Sequence, residues 1–471
     1  MLARSREGSD SSGVTTRPTL WLAHASAGCA RDRQSLTQEL AACGWSTSAE
    51  GGTAGVVVLA PSDVHAAATL IASARQDGTE RVLAVVLTQA QVPAETSWVL
   101  LSEGATDVVA WSGGPVDVIV ARLERWRAVE ALLRQPVVQD TAVGHSPAWT
   151  ALLRQVVEVA AFTDASMLLL GESGTGKELL ARLVHALDTR MSKRELVVVD
   201  CTTLSSELAG SELFGHERGA FTGAASQREG AFSLANDGTL FLDEVGELPA
   251  SLQPQFLRAV QERTFKPVGG NAWQRTRFRL VCATHRDLRE QVRTGGFRND
   301  LYHRLASWTF RLPPLRERAQ DILPLARHFV RELRPEAPPP FDPAVEDFLL
   351  RRDYPGNIRE LRQLVTRIVH RHIGAGPITL GAIAEQDRPM ERRMTDWRDH
   401  RLESAIQHAL VLGVGLKEIG RGATDVAVRL VVEQERGNLQ RAARKLGVTD
   451  RALQLRRGAA RDKADGLDEP M

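Results

Sequence analysis

Gly171-Glu172-Ser173-Gly174-Thr175-Gly176-Lys177-Glu178 is the stretch with the clearest capacity for chemistry. Its glycines let backbone N–H groups turn toward phosphate oxygens, and a helix starting at the lysine adds the positive end of its dipole. Lys177 would then reach the β- and γ-phosphates of a nucleotide as a point charge. The spacing is that of a P-loop, with one departure: Glu178 replaces the Ser or Thr that usually ligates Mg²⁺. The metal must therefore lean on another carboxylate. Gly238-Thr239-Leu240-Phe241-Leu242-Asp243-Glu244, an apolar run ending in two acids, supplies it. Asp243 would hold Mg²⁺ through water, and Glu244 would polarise an attacking water. ATP binding and hydrolysis is the chemistry expected.

These groups need strands behind them. Met167–Leu170 is apolar and strand-length, and Leu179–Val184 continues as a helix, which is the setting a P-loop requires. Upstream, Thr19–Ala23, Gly55–Ala60 and Arg81–Leu87 look like buried parallel strands, separated by helical spacing at Asp32–Cys43 and Val64–Arg75. The pattern predicts an α/β chain throughout its first two thirds. A polar tail (1–17), a front doubly wound domain (18–135), an ATPase core (141–315) and a helical region (316–384) follow in order. Residues 385–400 are charged and aperiodic, a linker, and 401–463 read as helices punctuated by glycine.

Composition narrows the class. The 59 Lys and Arg nearly cancel the 58 Asp and Glu, for a net charge of +1, which excludes a uniformly basic coat but not a local patch. Aromatics at 5%, with 2 Tyr, argue against a stacking platform for single-stranded nucleic acid. The 4 cysteines are scattered without a metal-binding spacing, so a reducing cytoplasm is the expected compartment. Apolar runs are strand-length and the N-terminus has no apolar core, so neither a membrane span nor a signal peptide is expected.

Glu212-Leu213-Phe214-Gly215-His216-Glu217-Arg218-Gly219-Ala220-Phe221-Thr222-Gly223-Ala224 resembles the signature loop of the sigma-54-dependent transcriptional activators, the bacterial enhancer-binding branch of the AAA+ ATPases. The resemblance runs over about residues 143–370. It implies that Gly219, Ala220, Phe221, Thr222, Gly223 and Ala224 grip sigma-54, with Phe221 and Thr222 as the apolar and hydroxyl contacts. It implies a sensor role for Thr284 and His285 where the family often has Asn, and a glutamate-restraining role for Asp200 where Asn is common. Arg298 and Arg304 match the arginine fingers that cross to a neighbour's nucleotide, which requires a ring. Tyr354-Pro355-Gly356-Asn357-Ile358-Arg359 resembles the lid signature, with Arg359 as the second sensor, and Phe265–Gly270 looks like a second loop beside the sigma-contacting one.

The front domain resembles a receiver domain in layout, including Gly104-Ala105-Thr106-Asp107. The acid pair after the first strand is replaced by Ala23-His24-Ala25-Ser26, and the phosphoacceptor position by Ala60-Pro61. No phosphoaspartate is expected. At the other end, Gly437–Arg457 resembles a Fis-type helix-turn-helix, with Thr449 placed to cap its second helix. Gly437–Lys463 holds eight basic and two acidic residues, so its local +6 is balanced by −5 elsewhere. Arg451 and Gln454 would read base edges, and Arg456 and Arg457 would meet phosphates.

The combined expectation is an activator that binds upstream double-stranded DNA as a dimer and assembles into a hexamer. With ATP and Mg²⁺ it would remodel the sigma-54 RNA polymerase holoenzyme from closed to open complex. Two rivals stand beside it: a general AAA+ remodelling ATPase, and a DNA-binding regulator with an inactive ATPase.

Overall fold

Alternating apolar strands and amphipathic helices build two parallel sheets in succession. The computed structural model describes residues 19–25, 30–48, 54–76, 81–189, 195–204, 208–388, 400–435, 437–449 and 451–453. The expected tail and the positions of Gln454, Arg456 and Arg457 lie outside them, as does most of the expected linker. The chain divides into two compact units, Met1–Ala384 and Glu385–Met471.

The first sheet comes from β1 (Thr19–His24), α1 (Ala30–Ala42), β2 (Ser46–Ser48), β3 (Ala54–Leu59), α2 (Val64–Gln76), β4 (Arg81–Leu87), α3 (Ala94–Ser102), β5 (Asp107–Trp111) and α4 (Asp117–Leu133). Its order is β2-β1-β3-β4-β5, all parallel, the order of flavodoxin-like doubly wound sheets. Val56, Val57 and Val58 alternate between two cores because helices cover both faces. Strand β2 had no apolar signal, being Ser-Thr-Ser at the sheet edge. Only residues 49–53 join it to β3, fewer than the dozen or so that a helical crossover uses.

Helices α5 (Pro136–Thr141) and α6 (Pro147–Phe162) follow. Val129 and Leu133 of α4 share one core with Val138, Ala142, Trp149 and Leu153. Arg154 pairs with Glu130 at 2.7 Å across the same contact. The apolar core thus runs straight through the expected boundary at 135–141.

The second sheet begins with β6 (Met167–Leu170) and α7 (Lys177–Ala186), then β7 (Leu196–Asp200), α8 (Ala209–Phe214), α9 (Ala231–Leu234) and β8 (Thr239–Asp243). It continues through α10 (Gln253–Glu262), a short antiparallel ribbon of β9 (Thr264–Phe265) and β10 (Gln274–Arg275), β11 (Arg279–Thr284), α11 (Leu288–Arg293), α12 (Asn299–Leu305) and β12 (Trp308–Arg311). The five long strands are parallel in the order β12-β6-β11-β8-β7. Strand β11 is buried along its whole length and lies between the glycine-loop strand and the acid-bearing strand. Helices α13 (Ile322–Leu333), α14 (Pro343–Arg351) and α15 (Asn357–Arg371) enclose a separate core of Leu325, Phe329, Val345, Leu361 and Leu364.

The second unit contains α16 (His400–Val411), α17 (Leu416–Gln434) and α18 (Leu439–Leu446). Helix α17 starts at Leu416, directly after Gly415, and runs 19 residues. Asn438 caps α18 by accepting from Arg441 N, and Gly447 ends it with φ +66°. Thr449 Oγ1 then accepts from Ala452 N at 3.3 Å, the cap expected for a second helix. Among the described residues, no helix is long and apolar enough to cross a membrane.

Candidate active site

The parallel sheet delivers three chain segments to one edge. Strand β6 runs into residues 171–176, and α7 starts at Lys177 with Gly176 in left-handed conformation ahead of it. Gly171 N donates to Thr284 O, which sews the loop to the end of β11. Gly174, at φ +78°, is required by a close approach: a Cβ there would stand 2.3 Å from Gly356 O.

Lys177 is buried, and its Nζ donates to Gly171 O at 2.8 Å. The same atom lies 3.3 Å from Glu244 Oε1. The other carboxylate oxygen of Glu244 accepts from His285 N at 3.0 Å and from Thr284 Oγ1 at 3.2 Å, and His285 Nδ1 is 2.7 Å away. Burial works to raise the Glu244 carboxyl, but the His285 N–H, the Lys177 charge and the His285 side chain outweigh it and the group is held low. Asp243 moves the other way, raised by burial and by the adjacent Glu244 charge against the pull of Lys177. Glu244 also has φ +50°, a left-handed backbone conformation that few non-glycine residues adopt. A carboxylate kept ionised, oriented by three groups and set on a strained backbone can polarise a water.

A cleft of about 940 Å³ opens over these groups. The glycine loop, Asp243 and Glu244 form one side; Leu325, Phe329, Ile358 and Arg359 of the helical region form the other. Arg359 Nη1 donates to Ser173 Oγ at 2.9 Å. Other expected residues lie differently. Asp200 faces Asp243 in register, but its carboxylate accepts from Thr202 N and Oγ1, while Glu244 takes its partners from Lys177, Thr284 and His285. Glu178 pairs with Arg182 one turn along α7. Arg298 and Arg304 are exposed outside this cleft, Arg298 paired with Asp300.

Several residues in the site carried no role in the sequence reading. Asn357 is fully buried at φ +52°, donates to Glu172 Oε2 and Ser173 O, and accepts from Leu315 N. Arg316 forms a two-pronged pair with Glu172, whose carboxyl falls to about 2, mainly through the hydrogen bond from Arg316 and that from Asn357. Arg318 is buried, stacks 4.2 Å over Trp149 and donates to Thr175 O. The only signal for Asn357 was its place after Pro355-Gly356; nothing in the spacing marked either arginine.

Between α8 and α9, residues 216–228 form a closed loop. His216 and Arg228 exchange both backbone hydrogen bonds at 3.0 Å, and Gly219 N donates to Ala224 O across the tip. Val268 N donates to Gly215 O and Val268 O accepts from Glu217 N, so the segment after β9 lies along the stem. Gly269 packs so tightly on Ala220 that an added Cβ would come within 2.7 Å of it.

Residues 142–311 match the sigma-54 interaction domain, and residues 316–395 match the AAA+ ATPase lid domain. The transcriptional regulatory protein ZraR of Klebsiella oxytoca is 44% identical over 322 residues, covering 68% of both chains. The chain belongs to the sigma-54-dependent transcriptional regulators. The regulatory protein AtoC of Escherichia coli is 37% identical to this regulator over 381 residues, covering 78% of this chain and 80% of AtoC. The crystal structure of NtrX from Brucella abortus aligns with 93% of the regulator at 24% identity and a TM-score of 0.47, covering 98% of NtrX. The regulator is an AAA+ ATPase whose core carries its sigma-54 interaction domain.

Proposed function

We propose that the regulator binds ATP in the cleft over Lys177 and couples its hydrolysis, in a ring of subunits, to remodelling of the sigma-54 RNA polymerase closed complex into the open complex. The observation that carries this is the meeting of Lys177, Asp243, Glu244 and His285 at one sheet edge. Residues 171–178 would cradle the phosphates through backbone N–H groups. Val143, Leu325, Phe329 and Ile358 offer an apolar wall for the base. Glu244 would take a proton from the attacking water, its carboxylate oriented by His285 and Thr284. Arg359 would connect the phosphate end of the cleft to the lid, and Arg298 and Arg304 would act on a neighbouring subunit's nucleotide.

Mg²⁺ fits this donor set. Among the described residues no three His, Cys, Asp or Glu cluster to hold a metal unaided, so the ion would arrive with the nucleotide and lean on Asp243. The crowding that raises the Asp243 carboxyl is what a cation beside it would relieve. Mg²⁺ would neutralise charge on the phosphates.

The loop Gly219–Ala224 would grip sigma-54 through Phe221 and Thr222. The first sheet would be a receiver-like regulatory module unable to take a phosphoryl group: β1 ends at His24 and Ala60 follows β3, neither of them a carboxylate. The second unit would be a Fis-type helix-turn-helix on upstream double-stranded DNA, with Arg451 among its contacts. Leu410, Val411, Leu412 and Leu416 are largely exposed there, and a second copy of the chain would cover them in a dimer. A cytoplasmic location follows from this role.

The test is open-complex formation by sigma-54 RNA polymerase on promoter DNA with the purified regulator and ATP. Thr222→Ala should hydrolyse ATP yet fail to melt the promoter. Wild type that hydrolyses ATP without ever engaging sigma-54 would sink the reading. Stable labelling of the front module by acetyl phosphate would overturn its non-phosphorylated role.

A further inference from the structure

His216 carries an unusual number of restraints for one residue beside a loop tip. It is buried, and its Nδ1 lies 2.6 Å from Ser211 Oγ on α8, itself buried. Its backbone closes the stem with Arg228, and its two neighbours in the chain, Gly215 and Glu217, hold Val268 of the adjacent segment. The imidazole then meets the Phe221 ring edge-on, 5.0 Å between centroids at 67°. Edge-to-face packing of this kind stabilises a pair beyond the area it buries. Phe221 is accordingly only 38% exposed, although it sits at a tip between glycines, whereas Thr222 beside it is open.

We propose that His216 is a positioning residue that seats Phe221, so that the apolar grip of the loop is withheld until a partner or a movement of the stem releases it. Ser211 fixes the rotation of the imidazole, and the imidazole fixes where the phenyl ring rests. Gly269 against Ala220 closes the other side of the tip. Because α8, the loop stem and the segment around Val268 all converge on His216, a shift in any of them moves the seat. Phe221 is then offered or withheld as one event rather than by gradual fraying. This rests on the reading of Gly219–Ala224 as the sigma-54 grip, but the seat itself is a property of the chain alone.

Hydrogen exchange of residues 216–228 in the full-length chain tests it. Phe221→Ala lies at a partly exposed position where folding is not at stake, and it should speed exchange at Gly219 and Ala224 about two- to tenfold, the equivalent of one aromatic edge contact. His216→Ala should produce a similar acceleration, and the double variant no more than either alone. Unchanged exchange in Phe221→Ala, or additive effects in the double variant, overturns the seat. So does loosening by His216→Ala that spreads evenly through α8 and β9, which marks a merely structural histidine. Binding of sigma-54 to His216→Ala should tighten as Phe221 is released; weaker binding alongside faster tip exchange would also overturn the withholding role. If Phe221→Ala binds sigma-54 like wild type while the exchange results hold, the seat stands and the grip assignment fails.

Discussion

Lys177 Nζ lies 3.3 Å from Glu244 Oε1, joining the first residue of α7 to the acid that follows β8, with strand β11 between β6 and β8. Both side chains are mostly shielded from water, and the Lys177 charge joins the His285 N–H in holding the Glu244 carboxyl low against burial. Glu244→Gln should lower kcat for ATP by about 10²- to 10⁴-fold, the range for loss of a general base, with nucleotide binding retained. Lys177→Ala should lose binding itself. Steady-state turnover with a fluorescent nucleotide titration separates the two, and more than a tenth of wild-type kcat in Glu244→Gln would remove it from the chemistry.

His285 gives Glu244 both a backbone and a side-chain contact. His285→Ala keeps the backbone N–H and should cost about tenfold in kcat, the scale of one hydrogen bond to a charged group. His285→Asn restores a side-chain donor and should recover most of that loss. Equal damage by Ala and Asn would mean that the imidazole acts otherwise than by orienting Glu244.

Arg298 and Arg304 are exposed and do not line their own cleft, so their proposed action requires a neighbour. Lys177→Ala and Arg304→Ala proteins should each be nearly inactive, and mixing them should restore part of the ATPase rate. No recovery on mixing, under conditions where wild type assembles, would place Arg304 outside the reaction.

Asn357 is the buried pin between the glycine loop and α15. Asn357→Ala leaves Leu315 N unpartnered and puts alanine on a left-handed backbone, and should destabilise the core and lid by about 2 kcal/mol or more. Asn357→Gly loses the same hydrogen bonds but accepts the backbone, and should recover part of the loss in urea unfolding.

The Glu172–Arg316 pair responds to acid. Its carboxyl falls from the usual 4.5 to about 2 in the folded chain. Stability from the pair is therefore complete above pH 4.5 and lost as pH falls through about 2. The group is open to solvent, so screening keeps its contribution small. The stability difference between wild type and Glu172→Gln should be flat near neutrality and should close across that acid range. A difference that closes above pH 5 would mean that another group is titrating.

Residues that act through local spacing were legible in the sequence. The glycine loop, β8 with its acids, and the strands around Val56 and Val85 follow from motifs and apolar runs whose partners lie close along the chain. Contacts that depend on packing between distant segments were not. Asn357 touches Glu172 from 185 residues away and Arg318 reaches Thr175 from 143, and no periodicity encodes such pairs. Asp200 illustrates the converse. The family resemblance gave it a partner in Glu244, whereas its Oδ1 accepts from the nearer Thr202 at 2.7–2.9 Å. Strand β2 escaped notice because an edge strand of Ser and Thr needs no apolar face.

The core shared by α4, α5 and α6 decides where this chain can be cut. A fragment starting at Val143 would strip Val129, Leu133 and Val138 from the apolar surface of α6 and would leave Arg154 without Glu130. A fragment starting at Asp117 keeps that cover while discarding the first sheet. Ancestral exchange of front modules among such regulators would meet the same constraint: a swap at the start of α4 preserves the ATPase core, and a swap after it must supply a matching helix.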